Sequence, residues 1–368
     1  MANLIFLVQS RVTYFLLLAL LALGPIGCLN YGPISLKSER SKYNLAIQKT
    51  NDEQLLLNLV RLKYRDTPFF LEVGSVASQF KLKNKASITA QLGSMVKDIF
   101  NLGASTSYEE SPTVSYTPLH GDDFVKNILS TLPLKTITLL FHSGWSIERV
   151  FRVSCQLLGG LENAPGASGP TPILAPQYKE FLKAVKYLQE IDDRDALRIN
   201  YQEVNGQPQM VLQILNEAKN SKSALEFART VNAVPGKSMY VLSHFPSPEQ
   251  VDQLRVVPRS FLGIMFYLSQ SIDIPKSDIL KGKVTLTKTL TGESFDWFDV
   301  TGDLLTIRSS NEEPLRSTIR IYYRNTWFYI DDSDLGSKST FSLLTQIYAL
   351  QSGAIKSTDP VLTIGVGS

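Results

Sequence analysis

The chain is poor in the side chains that carry most enzyme chemistry. Its 368 residues include two cysteines and three histidines. His120, His142 and His244 lie far apart, without metal-ligand spacing. His142 adjoins Ser143 in sequence, which does not supply triad geometry, and it reads as a helix-end residue. G-x-S-x-G, a P-loop and H-E-x-x-H do not occur. Two acidic groups, Asp192, Asp193, Asp195 and Asp331, Asp332, Asp334, lack the glycine and distal glutamate of a calcium loop. They read as solvated turn acids. No catalytic residue, metal ligand or cofactor site is therefore expected, and the chain reads as a non-enzyme.

Other shortages narrow the class further. Net charge is only +3 and no charge run is long enough for an interaction tail, which argues against a nucleic-acid partner. A hydrophobic content of 43% argues against a disordered chain. There is no fixed-period repeat and no coiled-coil heptad pattern. No apolar run reaches the roughly 20 residues of a membrane-spanning helix. "SFLGIMFYLSQSI", Ser260 to Ile272, is apolar nearly all round, but it is too short and reads as a buried helix.

The N-terminus does carry an apolar run, "VTYFLLLALLAL", Val12 to Leu23, preceded by Arg11. Its length fits the core of a secretory signal. It ends in "GPIGC", with Gly27 directly before Cys28, as at a lipoprotein processing site; Pro25 departs from the leucine preferred there. Cys28 is the expected lipidation site, and several acyl chains, palmitate among them, would anchor the chain firmly. No aspartate follows Cys28, so the expected location is the periplasmic face of the outer membrane. Cys155 then remains as a lone thiol, expected to be buried and structural.

Beyond the anchor the pattern predicts an α+β fold in five regions. Residues 1–27 form the signal and 28–66 the anchor, a tether over 29–36, and helices over Ser38–Lys49 and Asp52–Tyr64. Asp52 is the expected N-cap of the second helix, and Arg61 and Lys63 suit its C-terminal dipole. Residues 67–119 form a β segment, 120–256 a helical then α+β domain, and 257–368 a C-terminal α+β domain. Asn205-Gly206 marks a hairpin turn. "KVTLTKTL", "DLLTIRSS", "STIRIYYRN", "TWFYIDD" and "PVLTIGVG" read as strands, and "SPEQVDQLRVVPR" as a linker. Trp297, Trp327, Tyr322, Tyr323 and Tyr329 read as packing partners rather than a sugar-stacking platform.

The β segment is the least ordinary region. "KNK" and "EESP" look like turns, so Phe70 to Leu119 reads as four strands in two hairpins. Ala86, Ile88, Ala90, Leu92, Leu102, Ala104, Val114 and Tyr116 are expected on one face. Ser87, Thr89, Ser105, Ser107, Ser115 and Thr117 are expected on the other. A small polar face opposite an apolar one suits a sheet between lipid and a wet lumen. Four strands cannot close, so a barrel would need a ring of identical chains.

The stretches "LLLNLVRLKYRDTPFFLEVGS", "SPTVSYTPLHGDDF" and "WFYIDDSDLGSKSTFSLL" resemble a family of uncharacterised bacterial proteins predicted as lipoproteins, over most of the mature chain. The resemblance implies an envelope lipoprotein and carries over no catalytic residue. The expected function is an outer-membrane lipoprotein forming a homo-oligomeric ring, with a pore as its extension. The alternatives are a periplasmic scaffold or binding lipoprotein of an envelope complex, and a cell-wall or glycan-acting enzyme.

Overall fold

The computed structural model describes residues 31–91, 99–118, 122–170, 172–246, 253–352 and 362–365. The signal segment, Cys28, Leu92 and His120 lie outside the described residues. The chain divides into two compact units, Met1–Asn51 and Asp52–Ser368.

Helix α1, Tyr31–Lys63, begins in the first unit and ends in the second. The expected tether at 29–36 is thus helical from Tyr31, and the expected break before Asp52 is absent. Gly32 and Pro33 fall in the first turn, where backbone N–H groups have no intrahelical partner and proline costs nothing. Asp52 is consequently a mid-helix residue and not a cap.

In the second unit, α1 buries Leu55, Leu56, Leu59, Val60 and Leu62. Arg65, at φ 62°, breaks the helix. The chain then turns back under three side-chain clamps. Asn58, 1% exposed, donates to the Phe69 carbonyl at 2.7 Å and accepts from the Phe69 N–H at 2.9 Å. Gln54 accepts from the Leu71 N–H at 2.9 Å, and Arg61 donates to the Thr67 carbonyl at 2.7 Å. These bonds fix where the next strand starts.

That strand, β1, Leu71–Gln91, pairs antiparallel with β2, Ile99–Pro118. The segment is one long hairpin, not the two short ones expected. "KNK" is no turn: Lys83, Asn84 and Lys85 pair with Ser107, Thr106 and Ser105. The alternation of Leu82, Asn84 and Ala86 runs through it unbroken, and pairing continues with it. "EESP" pairs across to Lys81, Phe80, Gln79 and Ser78 in the same way.

The remaining elements form a mixed α+β body. Strands β3 (Cys155–Leu158), β4 (Leu161–Glu162), β5 (Leu197–Val204), β6 (Gln207–Ile214), β7 (Met239–Ser243) and β8 (Gln253–Pro258) make a six-stranded sheet, order β4-β3-β8-β7-β6-β5. All neighbours are antiparallel except β7 and β8. Asn205 and Gly206 turn β5 into β6 with positive φ at both, as their pairing in sequence predicts. One expectation fails here: the stretch read as a linker contains β8. Helix Ile147–Ser154 passes directly into β3 at Cys155. Gly159 ends β3 at φ 57°, where an added Cβ would lie 2.9 Å from the Val231 side chain.

Helices α2 (Asp122–Leu129), α3 (Leu134–His142), α4 (Ile147–Ser154), α5 (Lys179–Asp192), α6 (Lys222–Thr230) and α7 (Phe261–Ser269) accompany this sheet. Ser146, Ser221 and Ser260 each cap the helix that follows. After α8 (Lys276–Leu280) and α9 (Phe298–Thr301) come β9 (Arg308–Ser310), β10 (Ser317–Tyr323) and β11 (Thr326–Asp331), a three-stranded sheet of order β10-β11-β9. The expected strand "KVTLTKTL" makes only isolated bridges at Lys288. Helix α10 (Leu335–Ser352) follows. The last strand, β12 (Leu362–Gly365), joins the hairpin sheet beside β2.

No described strand closes into a barrel. Among the described residues no helix is long and apolar enough to cross a membrane.

Candidate functional site

The hairpin register sorts its residues into two sets. Cross-strand partners in an antiparallel ladder share a face, and faces alternate along each strand. Ala86 pairs with Ala104, Ile88 with Leu102, Ala90 with Phe100, Val76 with Val114 and Val73 with Tyr116. These positions share one face. An irregularity between Val73 and Ser75 shifts the register by one, and so keeps Val73 on the face of Val76. The opposite face carries the pairs Ser87–Gly103, Thr89–Asn101, Lys85–Ser105, Lys83–Ser107, Ser75–Ser115 and Glu72–Thr117.

Longer range order follows from the same register. The apolar face holds no charged residue between the Leu82–Tyr108 and Ala90–Phe100 pairs; Glu110, opposite Phe80, lies just beyond. Phe100 and Tyr108 are about 26 Å apart along the strand, at roughly 3.3 Å per residue. Membrane barrels carry an outer apolar band about 25 Å tall with aromatic residues at both rims. The other face carries Lys81, Lys83 and Lys85 at successive positions of β1, with Glu109 opposite Lys81. Strand β12 covers the outer edge of β2 only at Thr113–Tyr116. The outer edge of β1, and β2 from Ile99 to Pro112, has no strand beside it among the described residues.

A second feature lies in the body. Lys63, the last residue of α1, is half-buried on the wall of a cavity of about 460 Å³. Its Nζ donates to Gln270 Oε1 at 2.9 Å. Burial pushes this ammonium down to about 8. The nearby buried carboxylate is occupied elsewhere: Asp278 accepts from Tyr64 Oη at 2.7 Å and from Lys283 Nζ at 2.6 Å. Phe295 and Trp297 form an aromatic wall, with rings 5.4 Å apart and nearly perpendicular. Trp297 Nε1 is satisfied by Thr287 Oγ1 at 2.9 Å. The signal for Lys63 was present in the sequence, since it lies four residues after Leu59 and seven after Leu56, on the apolar stripe.

The other singled-out residues take structural roles. Cys155 is fully buried, and burial pushes its thiol up to about 11. His142 is the last residue of α3. Asp334 accepts from the N–H and Oγ of Ser337 at the start of α10, Asp331 accepts from Ser333, and Asp332 pairs with Lys338 at 2.8 Å. Asp195 pairs with Arg198 at 2.9 Å. Among the described residues no cluster of three or more His, Cys, Asp or Glu could hold a metal. Tyr322 and Trp327 are cross-strand partners with rings 5.1 Å apart. Tyr323 instead donates to Asp66, which also pairs with Arg324 at 2.9 Å. Trp297 lies apart from these, on the cavity wall.

No protein-family model, curated protein or solved structure matches the chain.

Proposed function

We propose that this chain is an outer-membrane lipoprotein, anchored through Cys28, that assembles into a homo-oligomeric ring in which each copy contributes one hairpin to a shared β-wall. The observation that carries this reading is the hairpin register: one face without charge between the Leu82–Tyr108 and Ala90–Phe100 pairs, with an aromatic residue at each limit, and one face mainly of Ser, Thr and Lys. Two strands of about 20 residues expose long unpaired edges, which soluble proteins ordinarily blunt. A neighbouring copy resolves this. Its β1 would lie antiparallel to the free edge of β2, and repetition of that contact closes a ring. Closure also meets the requirement that no open edge face lipid.

Strand length refines the picture. About 9–11 residues suffice to cross a bilayer. The tip halves of β1 and β2 supply that span, and the base halves would continue the wall outside the hydrocarbon.

The "GPIGC" junction after a short apolar core supports the anchor. A periplasmic binding or scaffold lipoprotein is the second reading, favoured by the cavity at Lys63.

The test is imaging of detergent-extracted particles, with conductance measured in planar bilayers. Rings and discrete channels are expected. Monomeric particles without conductance would remove the ring and leave the second reading. Cys28→Ser should arrest processing of the signal; normal processing and membrane retention of this variant would remove the anchor.

A further inference from the structure

The cavity at Lys63 has the size and polarity of a small-molecule site. Ligand sites commonly enclose a few hundred Å³, with apolar walls and a few convergent polar groups. This one encloses about 460 Å³. Ile272, Val284, Phe295 and Trp297 give it apolar walls. Its cationic group is Lys63, whose described partner is the neutral amide of Gln270.

We propose that this cavity binds a small monocarboxylate with an apolar body, its carboxylate on Lys63 and its body against Phe295 and Trp297. The charge distribution sets the class. Asp273 and Asp296 also line the cavity and are exposed, so they stand at its mouth. They repel polyanions such as phosphate esters while leaving a single inner carboxylate tolerable. Asp278 and Lys283 lie close by but are committed to each other. An apolar body is favoured because it would take the apolar walls of the cavity out of water. The inference does not depend on ring formation, since every residue involved belongs to one chain.

The probe is 4-phenylbutyrate, a soluble monoanion, with 4-phenylbutanol as its neutral counterpart. Binding to the full-length purified protein is followed by calorimetry. Saturable one-to-one binding of the acid is expected, at least about tenfold tighter than the alcohol, a difference of about 1.4 kcal/mol. Lys63→Met keeps the apolar stem and should bring the acid down to the affinity of the alcohol. Leu286→Trp, at a half-exposed residue of the mouth, should block both ligands without touching the core. Acid binding should weaken as pH rises through about 8, where Lys63 loses its proton. Equal affinity for acid and alcohol, unchanged acid binding in Lys63→Met, or no saturable binding to the native protein would each overturn the proposal.

Discussion

The hairpin and the six-stranded sheet are both built from alternating residues, yet they manage their second faces differently. Strand β5 buries Leu197 and Ile199 and exposes Arg198 and Asn200; β8 buries Leu254 and Val256 and exposes Arg255. Long charged side chains face water there, and the apolar ones face helices of the same chain. In the hairpin the polar face is largely Ser, Thr and Gly near the tip, with Lys confined to three adjacent positions of β1. The body completes its sheet with its own helices. The hairpin has strands of 21 and 20 residues and, among the described residues, only the four of β12 along one edge. Alternation specifies a strand; the size and charge of the polar set indicate whether what lies beyond is bulk water or a confined surface.

The body can be broken without involving the hairpin. Arg259 follows β8, is 1% exposed and has no carboxylate partner among its described contacts. Its guanidinium donates to the carbonyls of Arg152, Val153, Cys155 and Asn163 and to Ser168 Oγ, the last at 3.0 Å. It also lies 4.0 Å above the Tyr267 ring. Several of these acceptors are the free carbonyls at the end of α4, where a cation suits the dipole. Burial pushes the guanidinium down to about 10, so it stays charged at neutral pH. Arg259→Met would remove this donor from the Val153 and Asn163 carbonyls, at about 1–3 kcal/mol each, and leave the Arg152 and Cys155 carbonyls only the Asn163 amide. A loss of at least about 3 kcal/mol is expected in urea unfolding. Arg259→Lys should rescue little, because an ammonium cannot reproduce the fork.

The next effect belongs to the hairpin. Ala104 pairs with Ala86 midway between Phe100 and Tyr108. In a lipid-facing wall, Ala104→Arg places a charge near mid-depth, at about 2–4 kcal/mol per chain. Multiplied around a ring, that penalty should abolish assembly. The urea midpoint of the detergent-solubilised body should stay where it is. A lowered midpoint with intact rings would reverse the comparison and make this face part of the folded core.

How much of this was legible can be traced through particular residues. The α+β class, the Asn205-Gly206 turn and the cross-strand pair Tyr322–Trp327 follow from local pattern, and local pattern sufficed. The failures share a cause. "KNK" has the composition of a turn, but a strand whose alternation continues on both sides keeps pairing through it. Gly32-Pro33 looks like a tether and sits in a helical first turn. Strand β8 lay hidden in a Pro- and charge-bearing stretch because its pairing with β7 and β3 is non-local. The cavity was invisible for the same reason: Lys63, Gln270 and Trp297 are brought together by tertiary packing, and no spacing in the sequence relates them.

A smaller effect separates the two regions by pH. Burial pushes the Asp66 carboxylate up, but the hydrogen bonds from Tyr323 and Arg324 and the charge of Arg324 outweigh it and hold it below its ordinary value. A carboxylate depressed in the folded state contributes stability above its ordinary value near 3.8, and loses it as pH falls through the folded value. The pair is partly exposed, so its worth is about 1 kcal/mol or less. Asp66→Asn should lower stability by that amount at pH 7, and the difference from wild type should vanish as pH falls through the depressed folded-state value. Urea melts at several pH values measure this. Ring assembly should not respond, because Asp66 ties α1 to the β10–β11 turn and not to the hairpin strands.

The smallest change in stability is expected where the change in function should be most specific. Ser105 lies on the polar face directly opposite Lys85, two positions from the Ser107–Lys83 pair. Ser105→Arg sets like charges across the ladder, and Ser105→Glu sets opposite ones; either shifts stability by about 0.2–1 kcal/mol, in opposite directions. In a ring, the same substitutions recur at one level of a water-filled wall that already carries Lys81, Lys83 and Lys85 in every copy. Glu109 offsets Lys81, and the excess of Lys83 and Lys85 at this level should make the native channel prefer anions. Ser105→Arg should narrow the passage and deepen the preference. Ser105→Glu should weaken it, and Lys83→Glu together with Ser105→Glu should reverse it. Reversal potentials across a salt gradient read this directly. If both Ser105 variants conduct with unchanged selectivity, the Ser, Thr and Lys face does not line the conduction path. The hairpin would then be a docking surface whose polar side meets another protein, and its resemblance to a membrane wall would reduce to the alternation it shares with β5 and β8.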